Sequence, residues 1–225
     1  VEAGNVTGIG TDRFKIGPLK MLGDGALGAR TAFLSRPYAD DPSTCGIPVF
    51  TQETMDEMIG YANAHGMQAA VHTIGDACLD RVLSAYEKAL AENPREDHRH
   101  GIVHCQITRA DQLEKIAKMH LHVYAQSIFL DYDNQIVEER VGKELASTSY
   151  SWKTLMNNGV SVSNGTDCPV ELPDALGRFS LTLSVDDLLR FSELSSASLS
   201  SAFHSLFQSS LRTFSRHAHC HILYY

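Results

Sequence analysis

AAVHTIGDA (residues 69–77) runs three small apolar residues into His72, then turns through Gly75 to Asp76. With Met67 and Gln68 in front, residues 67–72 read as a short buried strand that ends on an imidazole. A helix is predicted on either side of it. Residues 51–65 have Thr51 as a cap, Glu53 in the first turn, and Met55, Met58, Ile59 and Ala62 at helical spacing before Gly66. Asp76 is expected to cap a second helix with Leu79, Val82, Leu83, Tyr86 and Leu90 on one face, closed by Asn93-Pro94. A strand set between two amphipathic helices is the repeat of a parallel α/β sheet.

The same alternation extends in both directions. KIGPLKML (15–22) reads as an earlier strand, GIVHC (101–105) as the next, LHVYAQSIF (121–129) as another and VSVSNGTD (160–167) as the last. Thr108 is expected to open a helix bearing Leu113, Ile116 and Ala117. Ser149 to Asn157, with Trp152, Leu155 and Met156, is read as a short helix ended by Asn158-Gly159. Five strands are too few to close an eight-stranded barrel. Each ends at a polar residue before a turn, at the sheet edge where α/β folds build their sites.

Composition narrows the function classes. A net charge of -8 offers no basic field for nucleic acid or an anionic membrane surface. Neither an apolar run of about 18 residues nor a charged-then-apolar leader is present. The five cysteines (Cys45, Cys78, Cys105, Cys168, Cys220) form no CxxC pair, which reads as reduced thiols of a cytoplasmic protein. Val1 in place of an initiator Met is taken as the mark of a fragment. Residues 1–177 are expected to form one domain. Residues 178–225 carry about a dozen serines and nearly as many leucines; they are read as an atypical tail, out of frame in preference to a solvated amphipathic helix.

Strand parity bears on His72. Alternate residues share a face, so Ala70 goes with His72, Ile102 with His104, and Ser161, Ser163, Gly165 with Asp167; Lys20, between Leu19 and Met21, alternates in the same way. Four chemically able side chains are thus expected at the ends of four parallel strands, facing inward. Each alone reads more readily as a structural group. Together, imidazole and carboxylate are the ligands that hold a catalytic zinc with room for water.

KMLGDGALGARTAFLSRPYADDP, AVHTIGDACLDRVLSAYE, RHGIVHCQIT and NGTDCPVELP occur in this order. The ordered set, over about residues 10–177, resembles the amidohydrolase superfamily, specifically its YtcJ-like branch, the amidohydrolase 3 family, which includes N-substituted formamide deformylase-like enzymes. The resemblance implies a distorted (β/α)₈ TIM-like barrel beside a small β-sandwich, of which this chain would hold strands four to eight. It implies hydrolysis of a carbon–nitrogen bond in a small-molecule amide, formamide or cyclic amide, with zinc or another divalent metal, one or two ions. It makes His72 and His104 metal ligands of the fifth and sixth strands. Asp167 becomes both a metal ligand and the acceptor of the proton from the attacking water, and Lys20 a ligand that related enzymes carboxylate. DGALGAR (24–30) becomes a loop at the pocket mouth, with Arg30 and Gln126 as substrate contacts or packing residues. A phosphate-binding role for that loop is disfavoured, since it lacks GxxxxGK[ST] and GxGxxG.

The first-strand HxH pair of the family has no counterpart, because no histidine precedes His65. Three other HxH triplets occur. His98–His100 lies before its strand, His120–His122 at the wrong end of one, and His217, His219 and His221 in the tail. A truncated, non-catalytic half-barrel without a complete metal site therefore stands as the alternative, with marginal stability and no measurable turnover expected.

Overall fold

The computed structural model describes residues 1–172; the part of the tail from residue 173 onward, including the triplet at 217–221, lies outside them. Five strands, β1 (Leu19–Leu22), β2 (Ala69–Thr73), β3 (Gly101–His104), β4 (His122–Ala125) and β5 (Val162–Asn164), form one sheet in that order. All four pairings are parallel. Helices α1 (Gln52–Ala64), α2 (Asp76–Glu92) and α3 (Ala110–Lys118) fill the first three crossovers. The last holds α4 (Leu130–Asp133), α5 (Val137–Ala146) and α6 (Trp152–Asn157). Spatial order equals chain order, and one core packs the sheet against residues of α1, α2, α3, α5 and α6, the arrangement of a barrel sector with its helices on one face.

The two faces differ as this winding requires. Met21, Val71, Ile102 and Val123 join Met55, Ile59, Leu79, Val82, Leu83, Ile116 and Trp152 in the main core between sheet and helices. Ala70, Val103 and Tyr124 form a separate cluster on the concave side. Gly101 permits that second cluster, since a Cβ there would stand 2.5 Å from the Tyr124 ring.

Several boundaries depart from the sequence reading. Gly75, not Asp76, caps α2. The backbone of Phe33 passes so close that a Cβ at Gly75 would lie 2.0 Å from its carbonyl oxygen. Asp76 is the first helical residue, and its buried carboxylate accepts from Ser35 N–H (2.9 Å) and Arg109 (2.7 Å). Arg109 rather than Thr108 precedes α3, with its N–H donated to Gln112 Oε1 at 2.9 Å. β4 stops at Ala125 and a 3-10 turn follows over Ser127–Phe129. Residues 130–146, given no element from sequence, form α4 and α5.

Two long segments meet above the C-terminal edge of the sheet, one between β1 and α1 and the other between β4 and α6. Asp40 pairs with both Arg30 and Arg140, Arg36 with Glu144, and Ala39 N–H with the Arg140 carbonyl. None of the described helices is long and apolar enough to cross a membrane.

Candidate active site

His72 stands on the concave side near the end of β2. Its Nε2 lies 3.0 Å from the Gly25 carbonyl oxygen and 3.6 Å from Asp24 Oδ1. A carbonyl only accepts, so Nε2 carries a proton. Asp24 is buried and receives N–H donors from Phe33 (2.9 Å), Ile74 (3.0 Å) and Gly75 (2.7 Å). Burial pushes its carboxyl up, against these donors and His72. The sequence reading missed Asp24. Its signal was an acid between two glycines just past a strand, where small neighbours let backbone N–H groups wrap a carboxylate.

His104 reaches the site by a route that parity did not foresee. Ile102, expected on the inward face with it, packs in the main core, while Val103 faces inward. Regular alternation would send His104 to the helices. Instead His104 (φ 75°) and Cys105 (φ 54°) enter the left-handed region and break the alternation. The buried Trp152 indole N–H points at both carbonyls, 2.9 Å from His104 O and 3.1 Å from Cys105 O, and Cys105 N–H donates to Thr73 O. The His104 ring therefore stands edge-on to His72 at 4.5 Å between centroids, with Phe129 stacked at 6.0 Å.

Burial first, then the neighbouring His72 and Lys20, lower His104 to about 3, so its imidazole is neutral at physiological pH. Its Nε2 lies 4.0 Å from Asp167 Oδ2, which with a neutral ring is a dipolar approach rather than an ion pair. Asp167 also owes its position to a break in regular backbone. β5 ends at Asn164, and Asp167 sits at φ 55° in the following turn, so strand parity does not reach it. Its side chain is 40% exposed.

Lys20 is exposed overall, yet it leans into the concave face enough for lost hydration to lower its pKa, while Asp167 pulls it up. Gln126 is buried beside His104. Arg30 is engaged elsewhere: its guanidinium grips Asp40 with two bonds, 3.2 and 2.6 Å, in the clasp above the sheet edge. His72, His104 and Asp167 thus gather at one edge with Lys20 and Gln126 near them, and Arg30 belongs to the overlying loop.

The donor set fits a divalent ion in kind: two imidazoles and a carboxylate. It falls short in number, because among the described residues no group of three His, Cys, Asp or Glu side chains could hold a metal ion. The other described triplets serve the fold. His98 Nε2 bonds Met119 O, His100 bonds Ala69 N–H and Asn63, and His122 Nε2 bonds Ser163 Oγ.

The chain is similar to several known proteins. Over 162 residues the chain is 40% identical to YtcJ of Bacillus subtilis (strain 168), covering 72% of this chain and 30% of YtcJ. It is 31% identical to Protein LONG AFTER FAR-RED 3 of Arabidopsis thaliana, over 69% of this chain and 27% of that protein. Among solved structures, an uncharacterized metal-dependent hydrolase from Pyrococcus furiosus matches at TM-score 0.67 and 36% identity, over 77% of this chain and 35% of that one. Another from Pyrococcus horikoshii matches at TM-score 0.68 and 34% identity, over 77% and 34%. The chain therefore spans about a third of the length of these relatives. Residues 1–185 match the amidohydrolase family model, and the chain belongs to the amidohydrolase family.

Proposed function

We propose that this chain carries part of the active site of a metal-dependent hydrolase that cleaves a non-peptide carbon–nitrogen bond in a small-molecule amide, formamide or cyclic amide. The observation that carries the reading is the meeting of His72 and His104, 4.5 Å apart, with Asp167 4.0 Å from His104. His72, His104 and Asp167 would hold zinc or another divalent ion, with Lys20 completing the set as a carbamate when two ions are bound. A bound ion polarises the carbonyl and acidifies water.

The chain's own residues supply the rest. His72 is held by Gly25 and Asp24 with Nδ1 left free, and the buried His104 stays neutral with a lone pair to give. The Lys20 amine, lowered by lost hydration, is shifted toward the neutral form that can add carbon dioxide. Asp167, partly open to solvent, takes the proton from the attacking water and returns it to the leaving nitrogen. Gln126 lines the pocket beneath the substrate. Arg30 orders the loop at the mouth and is the cation there able to meet a polar substrate group. Acidic composition argues against nucleic acid and membrane surfaces as partners. Free thiols at Cys45, Cys78, Cys105 and Cys168 fit a cytoplasmic protein.

A second reading, a half-barrel without catalysis, is favoured by the lack of a three-ligand group among the described residues. A chimera separates the two. Replacing the matching segment of Bacillus subtilis YtcJ with residues 1–172 should yield metal-dependent turnover on a panel of formamides and amides. Asp167→Ala and His104→Ala should each lower that turnover by about 100-fold or more. A folded, metal-loaded chimera that turns over nothing, or one indifferent to Asp167→Ala, would favour the second reading.

A further inference from the structure

Among the described residues, three buried side-chain atoms lack a hydrogen-bond partner: His104 Nδ1, Gln126 Oε1 and Arg140 Nε. The first two belong to neighbouring side chains, His104 at the end of β3 and Gln126 just past β4, and a side-chain hydrogen bond from Gln126 works to raise the His104 pKa. Arg140 is apart from them, in the clasp around Asp40. Buried polar atoms without partners are rare in folded proteins, and two complementary ones on adjacent side chains point to an interaction between them. Gln126 Oε1 can only accept. His104 Nδ1 donates in one tautomer and accepts in the other.

We propose that Gln126 is a positioning residue: its side-chain carbonyl accepts from His104 Nδ1–H and so fixes the tautomer that turns the Nε2 lone pair toward Asp167. A Gln126 amide turned so that its carbonyl meets Nδ1 satisfies both orphaned atoms with a single bond. In the opposite tautomer Nδ1 would set a lone pair against the Oε1 lone pairs. The rotated amide that would remedy this, with N–H donated to Nδ1, is the competing arrangement. His104 itself is held by its strained backbone and by Trp152, so the ring has little freedom to escape the contact.

The bearing on chemistry rests on the proposed hydrolase reading, since a lone pair on Nε2 is what a metal beside Asp167 would use. The tautomer itself is independent of metal and of turnover, so it is measured on the metal-free 225-residue chain. Long-range proton–nitrogen correlation spectra near neutral pH distinguish the two tautomers, with the His104 signals assigned by their loss in His104→Ala. The wild type is expected to show Nδ1 protonated. Gln126→Glu, which keeps an acceptor and removes the amide donor, should leave that pattern unchanged. Gln126→Leu, similar in size with no acceptor, should lose it, while the His72 signals stay in place. A wild type protonated at Nε2 overturns the proposal, and so does a switch in Gln126→Glu or an unaltered His104 in Gln126→Leu. Should Gln126→Leu fail to fold, the wild type and Gln126→Glu decide alone. Failure of the chimera to hydrolyse amides would leave the tautomer result intact and remove only its catalytic meaning.

Discussion

His100 and His104 lie at opposite ends of β3, and burial lowers both to about 3. His100 Nδ1 accepts the Ala69 N–H at 3.0 Å, which leaves Nε2–H to donate to Asn63 Oδ1, also at 3.0 Å. A second proton has nowhere to go, because it would face an N–H. The unfolded chain takes that proton near 6.5 and the folded chain refuses it. Stability is therefore complete above about 6.5 and falls as the pH drops toward 3. From about pH 7 to pH 5 this one group removes about 2 kcal/mol. His100→Gln keeps an acceptor for Ala69 and a donor for Asn63 without the titration. Urea unfolding of the two proteins at both pH values should show that loss in the wild type and a smaller one in the variant, with the His104 contribution retained. A His100→Gln protein with unaltered acid sensitivity would mean the ring does not titrate on unfolding. At this scale His72 was legible as a candidate, a polar residue near the end of a strand-like run, whereas Asp167 lies in the turn past β5. Asp24 was not legible, since its importance comes from backbone N–H groups of residues 33, 74 and 75 that only folding collects.

At the scale of elements, α6 matters beyond its six residues. Trp152 joins it to the end of β3 through the carbonyls of His104 and Cys105, at the two residues forced to positive φ. Trp152→Phe keeps an aromatic ring but leaves both carbonyls without their donor and the ring smaller. A loss of about 2 kcal/mol is expected, read as a lower urea midpoint with an unchanged slope. The α2–α3 contact makes a second test, because one guanidinium spans two acids: Arg109 meets Asp76 at 2.7 Å and Asp80 at 2.7 Å. Lysine is a point charge and cannot span both, so Arg109→Lys should recover less than half of what Arg109→Ala loses. Full recovery would show that charge, not the fork, is what counts. The strands and first three helices were readable from apolar spacing. Their ends were not, because Gly75 caps α2 for the room that Phe33 needs and not for its own chemistry. Helix α5 left a readable trace, Val137 and Val141 at i and i+4, which the polar residues around it and the break at Gly142 (φ 78°) obscured.

For the molecule as a whole, the sheet has two unpaired edges among the described residues. Leu22, at the end of β1, is 54% exposed, and Ile47 and Val49 are exposed in the loop that follows it. The core between sheet and helices is nonetheless continuous from Met21 to Val160, so the described sector has its own hydrophobic support. The ligand set is the weaker feature. With two imidazoles and one carboxylate short of a closed group, zinc should bind this chain far less tightly than a complete site. Dialysis against a mild chelator is expected to strip it. Stoichiometric zinc surviving that treatment would reveal ligands not counted among the described residues.

Apolar periodicity by itself pointed to the parallel α/β class, because burial on a sheet demands period two and burial on a helix period 3.6, while the spatial order of the strands came from the structure. The ordered motifs were enough to point to the family, and through that resemblance to put forward His72, His104 and Asp167 as candidates. Only the tertiary structure decided how they meet. Two of the three depend on left-handed backbone at His104 and Asp167, and periodicity has no means of encoding a break in itself. That break is held by Trp152, 48 residues along the chain from His104, a contact set by packing between elements and not by any local pattern.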